Sequence, residues 1–310
     1  AMNAGYAVIN DMDVELFKGT IEAVAGDVTM SRMRFEGGHA TAGNVTYTVA
    51  NMDKDNWSGV GLYLNGSDSP TQLLTSSNLT EGELDFNSFS ATIADGETID
   101  FVVKGDVGST LDSSNKTVHL QLDTVTAKDG DNDDAGVKDP AGTTIATTAE
   151  LESTRTVTLT AKGILYTSLR NADAGYNKDR VVLASDSQWV AKLRMRAQYE
   201  DIRVEDLKLT NTVAASEDSL ESVCLYSEET ATEDYLIGCT TLSTADVAFF
   251  NDIDSVVEQG TEDWYVYVNT RAMGDGAAAT ADTTDAFAFR VTTTSGHLTA
   301  VGVDSNETLA

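Results

Sequence analysis

Hydrophobic and polar residues alternate along most of this chain. Alternation with a period of two is typical of β-strands that are buried on one face. It predicts strands in NVTYTVA from Asn44, TIDFVVK from Thr98, TVHLQLD from Thr117, RTVTLTA from Arg155 and DAFAFRV from Asp285. Turn-forming clusters rich in Gly, Asp and Asn separate these segments, and no stretch keeps helical spacing for about ten residues. We therefore expect an all-β fold.

The sequence also repeats itself. VGLY at Val60 returns as VCLY at Val223, an offset of 163, and FNSFSATIADG at Phe86 matches FNDIDSVVEQG at Phe250 without a gap, at an offset of 164. Weaker matches join MRF to LRM (offset 160), IDFVV to WYVYV (165), VHLQL to FAFRV (169), VTA at Val125 to LTA at Leu298 (173) and VELFKG to VTLTAKG (143). Length differences confined to loops are expected of two copies of one sandwich.

The repeat predicts two domains of ordinary size. We expect an N-terminal arm over residues 1–12, a first β-sandwich over 13–152 and a second over 153–310. Residues 164–185 have no counterpart in the first copy and should form an added loop or edge excursion.

The order of strands and several short phrases resemble a known family. An opening TVTL, then EDIRVEDLKLTNT, SLESVCLYSEE, VVEQGTEDWYVYV and FRVTTTSGHLTAV are similar to the tandem immunoglobulin-like β-sandwiches of prokaryotic cell-surface proteins of the surface-layer, adhesin or filament type. The resemblance implies two antiparallel sandwiches and an extracellular, cell-surface location. It implies no particular activity, because one fold serves many functions.

Each end of the repeat contains a strand without a counterpart. In the first copy residues 142–149 (GTTIATTA) should close the sandwich, but the second copy has no equivalent segment, and residues 1–12 match nothing. A sandwich that lacks an edge strand offers unpaired backbone groups to another chain. We expect the arm to complete the second sandwich of a neighbouring copy, and a head-to-tail contact whose rotation does not close builds a homopolymer, either a filament or a layer. The arm residues expected at that contact are Tyr6, Ala7, Val8 and Ile9.

Other interpretations of the ends stay open. The arm could cover its own first domain, the second domain could close with fewer strands, or the natural chain could continue beyond Ala310. The first residues lack the basic and apolar layout of a signal peptide, so the chain is expected to be either processed or cytosolic.

Charge excludes two classes of partner. The chain has 50 acidic and 20 basic residues, a formal charge of −30, and 41% hydrophobic residues, which is the composition of a folded protein with an acidic surface. Nucleic acid and anionic membranes would be repelled. Membrane insertion is not expected either, because no apolar run approaches the ~20 residues that a spanning helix needs.

The two cysteines predict a disulfide. Cys224 and Cys239 lie symmetrically about the polar turn ETATED, and cysteines opposed in a hairpin approach disulfide geometry, which favours an oxidising, extracytoplasmic location. The alternative is two unpaired core thiols. Six glycosylation sequons are compatible with a secreted glycoprotein. They are Asn44, Asn56, Asn65, Asn78, Asn115 and Asn306.

One acidic loop is a candidate for Ca²⁺, which takes six to eight oxygen ligands. Its carboxylates are Asp129, Asp131, Asp133, Asp134 and Asp139. The match to an EF-hand loop is partial, because Asp134 stands in place of the glycine and Pro140 in place of the glutamate. The alternative is a solvated acidic loop. A weaker candidate of the same kind contains Asp275, Asp282 and Asp285.

Catalytic chemistry is not expected. His39, His119 and His297 are far apart in sequence and none is near a cysteine, and no nucleophile elbow, phosphate loop or zinc helix is present. Tryptophans could form a sugar-binding platform. The alternative function is a calcium-stabilised adhesin or a carbohydrate-binding surface module, with surface glycans as partners. Trp264 should lie in a core, whereas Trp57 has a loop-like setting. The basic strand 192–196 could dock an acidic face, or pair within its own sheet.

Overall fold

The computed structural model describes residues 3–41, 44–46, 53–80, 82–112, 117–138, 151–152, 155–169, 187–213, 217–272, 286–291 and 296–309. Among these residues every long element is a strand, and three single-turn 3-10 helices join them at Lys54–Asn56, Glu217–Ser219 and Glu233–Tyr235. The predicted all-β fold is confirmed.

The chain divides into two compact units, Ala1–Ala161 and Lys162–Ala310. The strands of the first unit are β1 Asn3–Val8, β2 Val14–Glu22, β3 Val28–Thr41, β4 Asn44–Thr46, β5 Trp57–Leu64, β6 Gln72–Thr75, β7 Glu83–Phe86, β8 Ala91–Ile93, β9 Thr98–Val107, β10 Thr117–Asp129, β11 Leu151–Glu152 and β12 Arg155–Thr160. Those of the second are β13 Ile164–Leu169, β14 Ser187–Gln198, β15 Ile202–Asn211, β16 Leu220–Tyr226, β17 Leu236–Thr240, β18 Val247–Phe250, β19 Ser255–Val257, β20 Gly260–Thr270, β21 Phe289–Val291, β22 Leu298–Gly302 and β23 Thr308–Leu309.

The first unit is a sandwich of two sheets. One runs β2-β9-β5-β6, and the other runs β1-β12-β10-β3-β4, with β7 and β8 also paired to β3 and β11 to β10. Inward residues of both sheets form one core, in which Phe17 of the first sheet meets Phe35 of the second edge to face at 5.2 Å. Aromatic pairs of this geometry add stability beyond the apolar area that they bury.

The second unit repeats the plan. One sheet runs β13-β14-β20-β16-β17, and the other runs β18-β15-β22-β23, with β19 and β21 also paired to β15. Its core is separate from that of the first unit and is built around Trp264, Leu193, Leu207 and Phe250, each at most 2% exposed.

Strand pairing shows which elements correspond. Met33 of β3 pairs with Phe86, and Leu207 of β15 pairs with Phe250, so β15 is the counterpart of β3, at an offset of 174. β14 is the counterpart of β2 at the same offset, because Lys18 pairs with Val102 and Lys192 with Tyr265. For β5 and β9 the offset falls to 163, as Val60 and Val223 show by pairing with Gly105 and Val268.

Three β-bulges recur at matching places, and they confirm these equivalences. The ladders shift between Glu15 and Phe17 and between Trp189 and Ala191, again at an offset of 174. The shift between Trp57 and Gly59 of β5 recurs between Leu220 and Ser222 of β16, at an offset of 163. The shift at Thr126 and Ala127 in the β3–β10 ladder recurs at Val204 and Asp206 in the β15–β22 ladder, at the same position. A bulge raises local twist, so both units bend their sheets alike.

Three details of the sequence repeat are wrong. MRF lies in β3 and LRM in β14, which are not counterparts, and VELFKG of β2 corresponds to β14 rather than to VTLTAKG in β12. IDFVV and WYVYV are counterparts, but at an offset of 163 instead of 165, since Val103 and Val266 face the equivalent residues Leu62 and Leu225.

The domain boundary also differs from the expectation. Residues 1–12 and 153–161 belong to the first unit, because β12 pairs with β10 and β1 pairs with β12. The predicted closing segment 142–149 is outside the described residues. Of the predicted excursion, Ile164–Leu169 is an edge strand, β13, and the rest is also outside the described residues.

Candidate functional site

The first strand fills a place in its own unit. β1 runs parallel to β12, from Asn3 beside Arg155 to Val8 beside Thr160. Ala7 and Val8 are fully buried and Ile9 is 5% exposed, while Tyr6 is 49% exposed. Ala7, Val8 and Ile9 are therefore buried in their own unit, and the more exposed Tyr6 pairs with Thr158 of β12. Their role between copies stays a prediction.

A short turn joins β1 to the opposite sheet. Asp11 accepts a hydrogen bond from the N–H of Val8 at 3.0 Å, and its carbonyl accepts one from the N–H of Val107 at 2.8 Å. Asn10 and Asp13 have φ of 66° and 58°, a left-handed backbone that Asn and Asp adopt more readily than most residues. The chain thus passes from one sheet to the other within residues 9–13.

The corresponding edge of the second unit has a different arrangement. β21 and β22 together correspond to β10, because Leu122 pairs with Phe35 as Val291 pairs with Leu209, and Val125 pairs with Met33 as Leu298 pairs with Leu207. β23 pairs with two residues of β22. In the part of the chain that the structure describes, no strand lies beside β21 as β12 lies beside β10.

The second unit instead has an extra strand in its other sheet. β13 extends that sheet beyond β14, whereas β2, the counterpart of β14 in the first unit, is the edge strand among the residues that the structure describes. β13 has no charged residue and no proline, and Ile164 and Tyr166 are 39% and 48% exposed. Within β13 itself, such an edge lacks the charged residues and prolines that usually protect against pairing with another strand.

The acidic loop holds itself together. Asp129 accepts hydrogen bonds from the N–H groups of Asp131 at 3.0 Å and Asp133 at 2.9 Å. Asp134 pairs with Lys128 at 2.6 Å, and the hydrogen bond from Lys128 lowers the pKa of Asp134. Asp139 and the second loop with Asp275, Asp282 and Asp285 lie outside the described residues. Within them no three His, Cys, Asp or Glu side chains converge as metal ligands, so the calcium site stays a prediction.

The predicted disulfide is present. Cys224 of β16 and Cys239 of β17 are direct cross-strand partners with Cα atoms 4.0 Å apart. Cys224 packs with Tyr265 and Tyr267 on the face of the sheet that points away from the main core. The hairpin symmetry of the sequence was therefore a sound signal.

The sequons differ in accessibility. Asn56 is fully buried, and its side-chain oxygen accepts the N–H of Asp112 at 2.7 Å, which makes it unsuitable for a glycan. Asn65, Asn78 and Asn306 are exposed. Asn44 lies in β4, and Asn115 lies outside the described residues.

The expectation that Trp57 lies in a loop is wrong. Trp57 begins β5 and is 2% exposed in the first core, and Trp264 lies in the second core as predicted. Trp189 packs edge to face against Tyr265, with ring centroids 6.2 Å apart. His119 is 1% exposed, in β10. The structure therefore assembles no exposed tryptophan platform from the described residues.

The basic strand 192–196 pairs within its own sheet. Arg194 donates two hydrogen bonds to Asp263, at 2.8 and 3.0 Å, and Lys192 approaches Asp263 at 2.8 Å. The hydrogen bonds from Arg194 lower the pKa of Asp263, against the effect of burial, and Lys192 lowers it further. Arg32 and Asp85 form a similar two-bond pair in the first unit.

A buried carboxylate that the sequence did not reveal organises one end of the second unit. Glu200, 2% exposed, accepts hydrogen bonds from the N–H and hydroxyl of Ser305, at 2.9 and 2.8 Å, and from the N–H of Asp304 at 3.1 Å. It also accepts the N–H of Gly163, just before β13. A Cβ at Gly163 or Gly302 would collide with this side chain. Glu200 lies in the turn between β14 and β15, where no alternation of polar and apolar residues marks it as buried.

Comparisons with known proteins add little. No protein-family model and no curated protein matches the sequence. Among solved structures, the chain is similar to a BSP domain of a biofilm-associated protein, with 8% identity and a TM-score of 0.23, covering 98% of this chain and 58% of that one. It is also similar to the CsuC–CsuE chaperone–tip adhesion subunit complex of Acinetobacter baumannii Csu pili, with 9% identity and a TM-score of 0.23, covering 93% and 97%.

A third similarity is to a chaperone–tip adhesin complex of CFA/I fimbriae, with 6% identity and a TM-score of 0.21, covering 94% of this chain and 95% of that one. Likenesses at these TM-scores carry no argument about function. No helix in the described part of the chain has the length and apolar character needed to cross a membrane.

Proposed function

We propose that this chain is an extracellular structural subunit that assembles with copies of itself into a cell-surface filament, pilus-like in character, or a layer. The observation that carries the proposal is the position of β1, whose only strand partner among the described residues is β12, far along the chain. A strand held at one edge exchanges between identical copies at low cost, because the exchanged strand finds equivalent contacts in its neighbour.

Two further features support this function. The disulfide between Cys224 and Cys239 fits an oxidising, extracytoplasmic compartment. The uncharged edge β13 offers a second place for lateral contact.

Deleting residues 1–12 tests the proposal. The full chain should form ordered polymers in electron micrographs, and the deletion variant should stay dispersed, because the exchanged strand is gone. Two substitutions at neighbouring positions of β1 form a matched pair, in which the second is the control for the first. Ala7→Asp puts a charge at a fully buried position and should abolish assembly, whereas Tyr6→Asp changes an exposed neighbour and should reduce assembly far less.

Some outcomes would contradict the proposal. A full chain that stays a stable monomer at every concentration and salt would do so, as would undiminished polymers from the deletion variant. Dispersed particles that bind glycans would favour the alternative, an adhesin.

A further inference from the structure

The two units differ at one equivalent sheet edge, which is formed by β10 in the first unit and by β21 in the second. In the first, β12 lies antiparallel to the beginning of β10, with Val157 beside Val118. Val157 and Leu159 are each 1% exposed, so β12 supplies core side chains as well as backbone pairing. In the second unit Phe287 stands where Val118 stands, because it precedes Val291 by the same interval as Val118 precedes Leu122.

At β21, the corresponding edge of the second unit, some backbone N–H and C=O groups point away from β15. The carbonyl of Ala288 accepts the N–H of Thr212 at 2.8 Å, and the N–H of Ala288 binds Asn211 at 2.9 Å, both on the β15 side. Backbone groups alternate in direction along an antiparallel strand, so those of Phe287 and Phe289 point to the opposite edge. In the described ranges no other strand receives them, and Phe287 is only partly buried against the core.

The order of strands along the chain suggests the occupant. β12 is the strand that precedes the second sandwich, and it completes the first. β1 is the strand that precedes the first sandwich, separated from β2 by residues 9–13. β1 thus precedes the first sandwich as β12 precedes the second, so β1 of a second copy is the candidate for the place beside β21. β1 is an uncharged strand of six residues, the same length as β12.

We propose that β1 of one copy pairs beside β21 of a second copy, in the place that β12 takes beside β10. This inference rests on the proposed function and specifies the contact between two copies, which we call the joint. In an unassembled chain β1 lies parallel to its own β12. In the joint it is antiparallel to β21, and its inward residues cover the partly buried Phe287. Such a contact joins different surfaces of the two copies, so it repeats head to tail.

Photo-crosslinking tests the joint. Tyr6 is replaced by p-benzoylphenylalanine, which keeps an aromatic ring at a position 49% exposed. The assembled protein is irradiated, digested and analysed by mass spectrometry, with isotope-labelled and unlabelled copies mixed so that links between copies are recognised. Links from position 6 to residues 286–291 of another copy are expected. The same probe at Tyr235, 43% exposed in the second unit, should give no links to residues 286–291.

Hydrogen exchange gives a second readout that needs no substitution. On assembly, exchange at the amides of Phe287 and Phe289 should slow by about tenfold or more, because outward N–H groups become bonded. Polymers whose intermolecular links run from position 6 to residues 155–160, without slowing at Phe287 and Phe289, would overturn this joint and leave the proposed function standing. A chain that never assembles would overturn both.

Discussion

Gly105 and Trp57 together fill one place in the first core. A Cβ added at Gly105 would lie 2.5 Å from the Trp57 ring. The equivalent residues of the second unit are Val268 and Leu220, which are 0% and 2% exposed. The large Trp57 beside the small Gly105 in the first unit thus corresponds to two residues of intermediate size, Leu220 and Val268, in the second. Close packing requires this kind of compensation.

Gly105→Ala should therefore destabilise the first unit. Inserting a methyl group into a packed core costs about 1–3 kcal/mol, and this should appear as a lower free energy of unfolding in chemical denaturation. Gly130→Ala is the matched control, because a Cβ there meets nothing within 4 Å, and its effect should stay within about 0.5 kcal/mol. Equal effects of the two changes would show that the Trp57 contact is not tight.

Glu200 is a second residue with a large expected effect. Glu200→Ala leaves the buried N–H groups of Ser305 and Gly163 without their acceptor, at about 1–3 kcal/mol for each. We expect a loss of about 3 kcal/mol or more in the free energy of unfolding, measured by denaturant titration. Glu205→Ala, which removes a partly exposed partner of Arg203, should cost under about 1 kcal/mol. A small effect at Glu200 would mean that water replaces the carboxylate.

Cross-strand ion pairs operate at the scale of neighbouring elements. Asp263 of β20 is held by Arg194 and Lys192 of β14, and because its pKa is lowered in the folded state, its stabilising contribution is present above the ordinary Asp value of about 3.9. That contribution is lost as the pH falls through the lower folded value.

Asp263→Asn should accordingly reduce the free energy of unfolding at pH 7, and the difference from the parent should shrink as the pH falls below about 4. Denaturant titrations across pH 2–7 measure this. Adding Arg194→Gln to the variant should introduce no further pH dependence from this pair. A difference that stays constant down to the lowest pH would contradict the assignment.

The strands themselves were predictable from sequence, but their alignment between copies was less so. VHLQL and FAFRV, and VTA and LTA, were matched in the register that the structure confirms. The sequence pattern aligns IDFVV two positions away from its structural counterpart, because a pattern of period two looks the same after a shift of two. MRF and LRM resemble each other although β3 and β14 are not counterparts, because short alternating strands look alike in sequence.

Partner choice at sheet edges was not predictable. β1 has strand character in the sequence, yet nothing local indicates that Asn3–Val8 should run parallel to Arg155–Thr160. That pairing depends on which edge is open after the remaining strands have formed. Trp57 has a loop-like setting in the sequence because a 3-10 turn, Lys54–Asn56, immediately precedes its strand and gives it polar neighbours in sequence only.

At the scale of the whole molecule, each copy has a formal charge of −30. Repulsion between these charges is the dominant long-range interaction between copies. Assembly through uncharged strands must proceed against this repulsion. Raising the ionic strength from about 0.01 M to about 0.15 M shortens the screening length from about 30 Å to about 8 Å.

Polymerisation should therefore become faster and more complete over this range of salt, as followed by light scattering and sedimentation. The variant without residues 1–12 should show no such rise. Polymers that dissolve when salt is added would instead show that ion pairs hold the copies together.

The bond between Cys224 and Cys239 has a mechanical consequence for a subunit under tension. Force applied along the chain passes through the two sulfur atoms, so the stretch between them, a sequence separation of 15, cannot be drawn out. Fully extended, that stretch would add about 50 Å of length. A pulled second unit should thus lengthen by that much less than its full chain allows, and under a reducing agent the missing length should reappear in single-molecule traces.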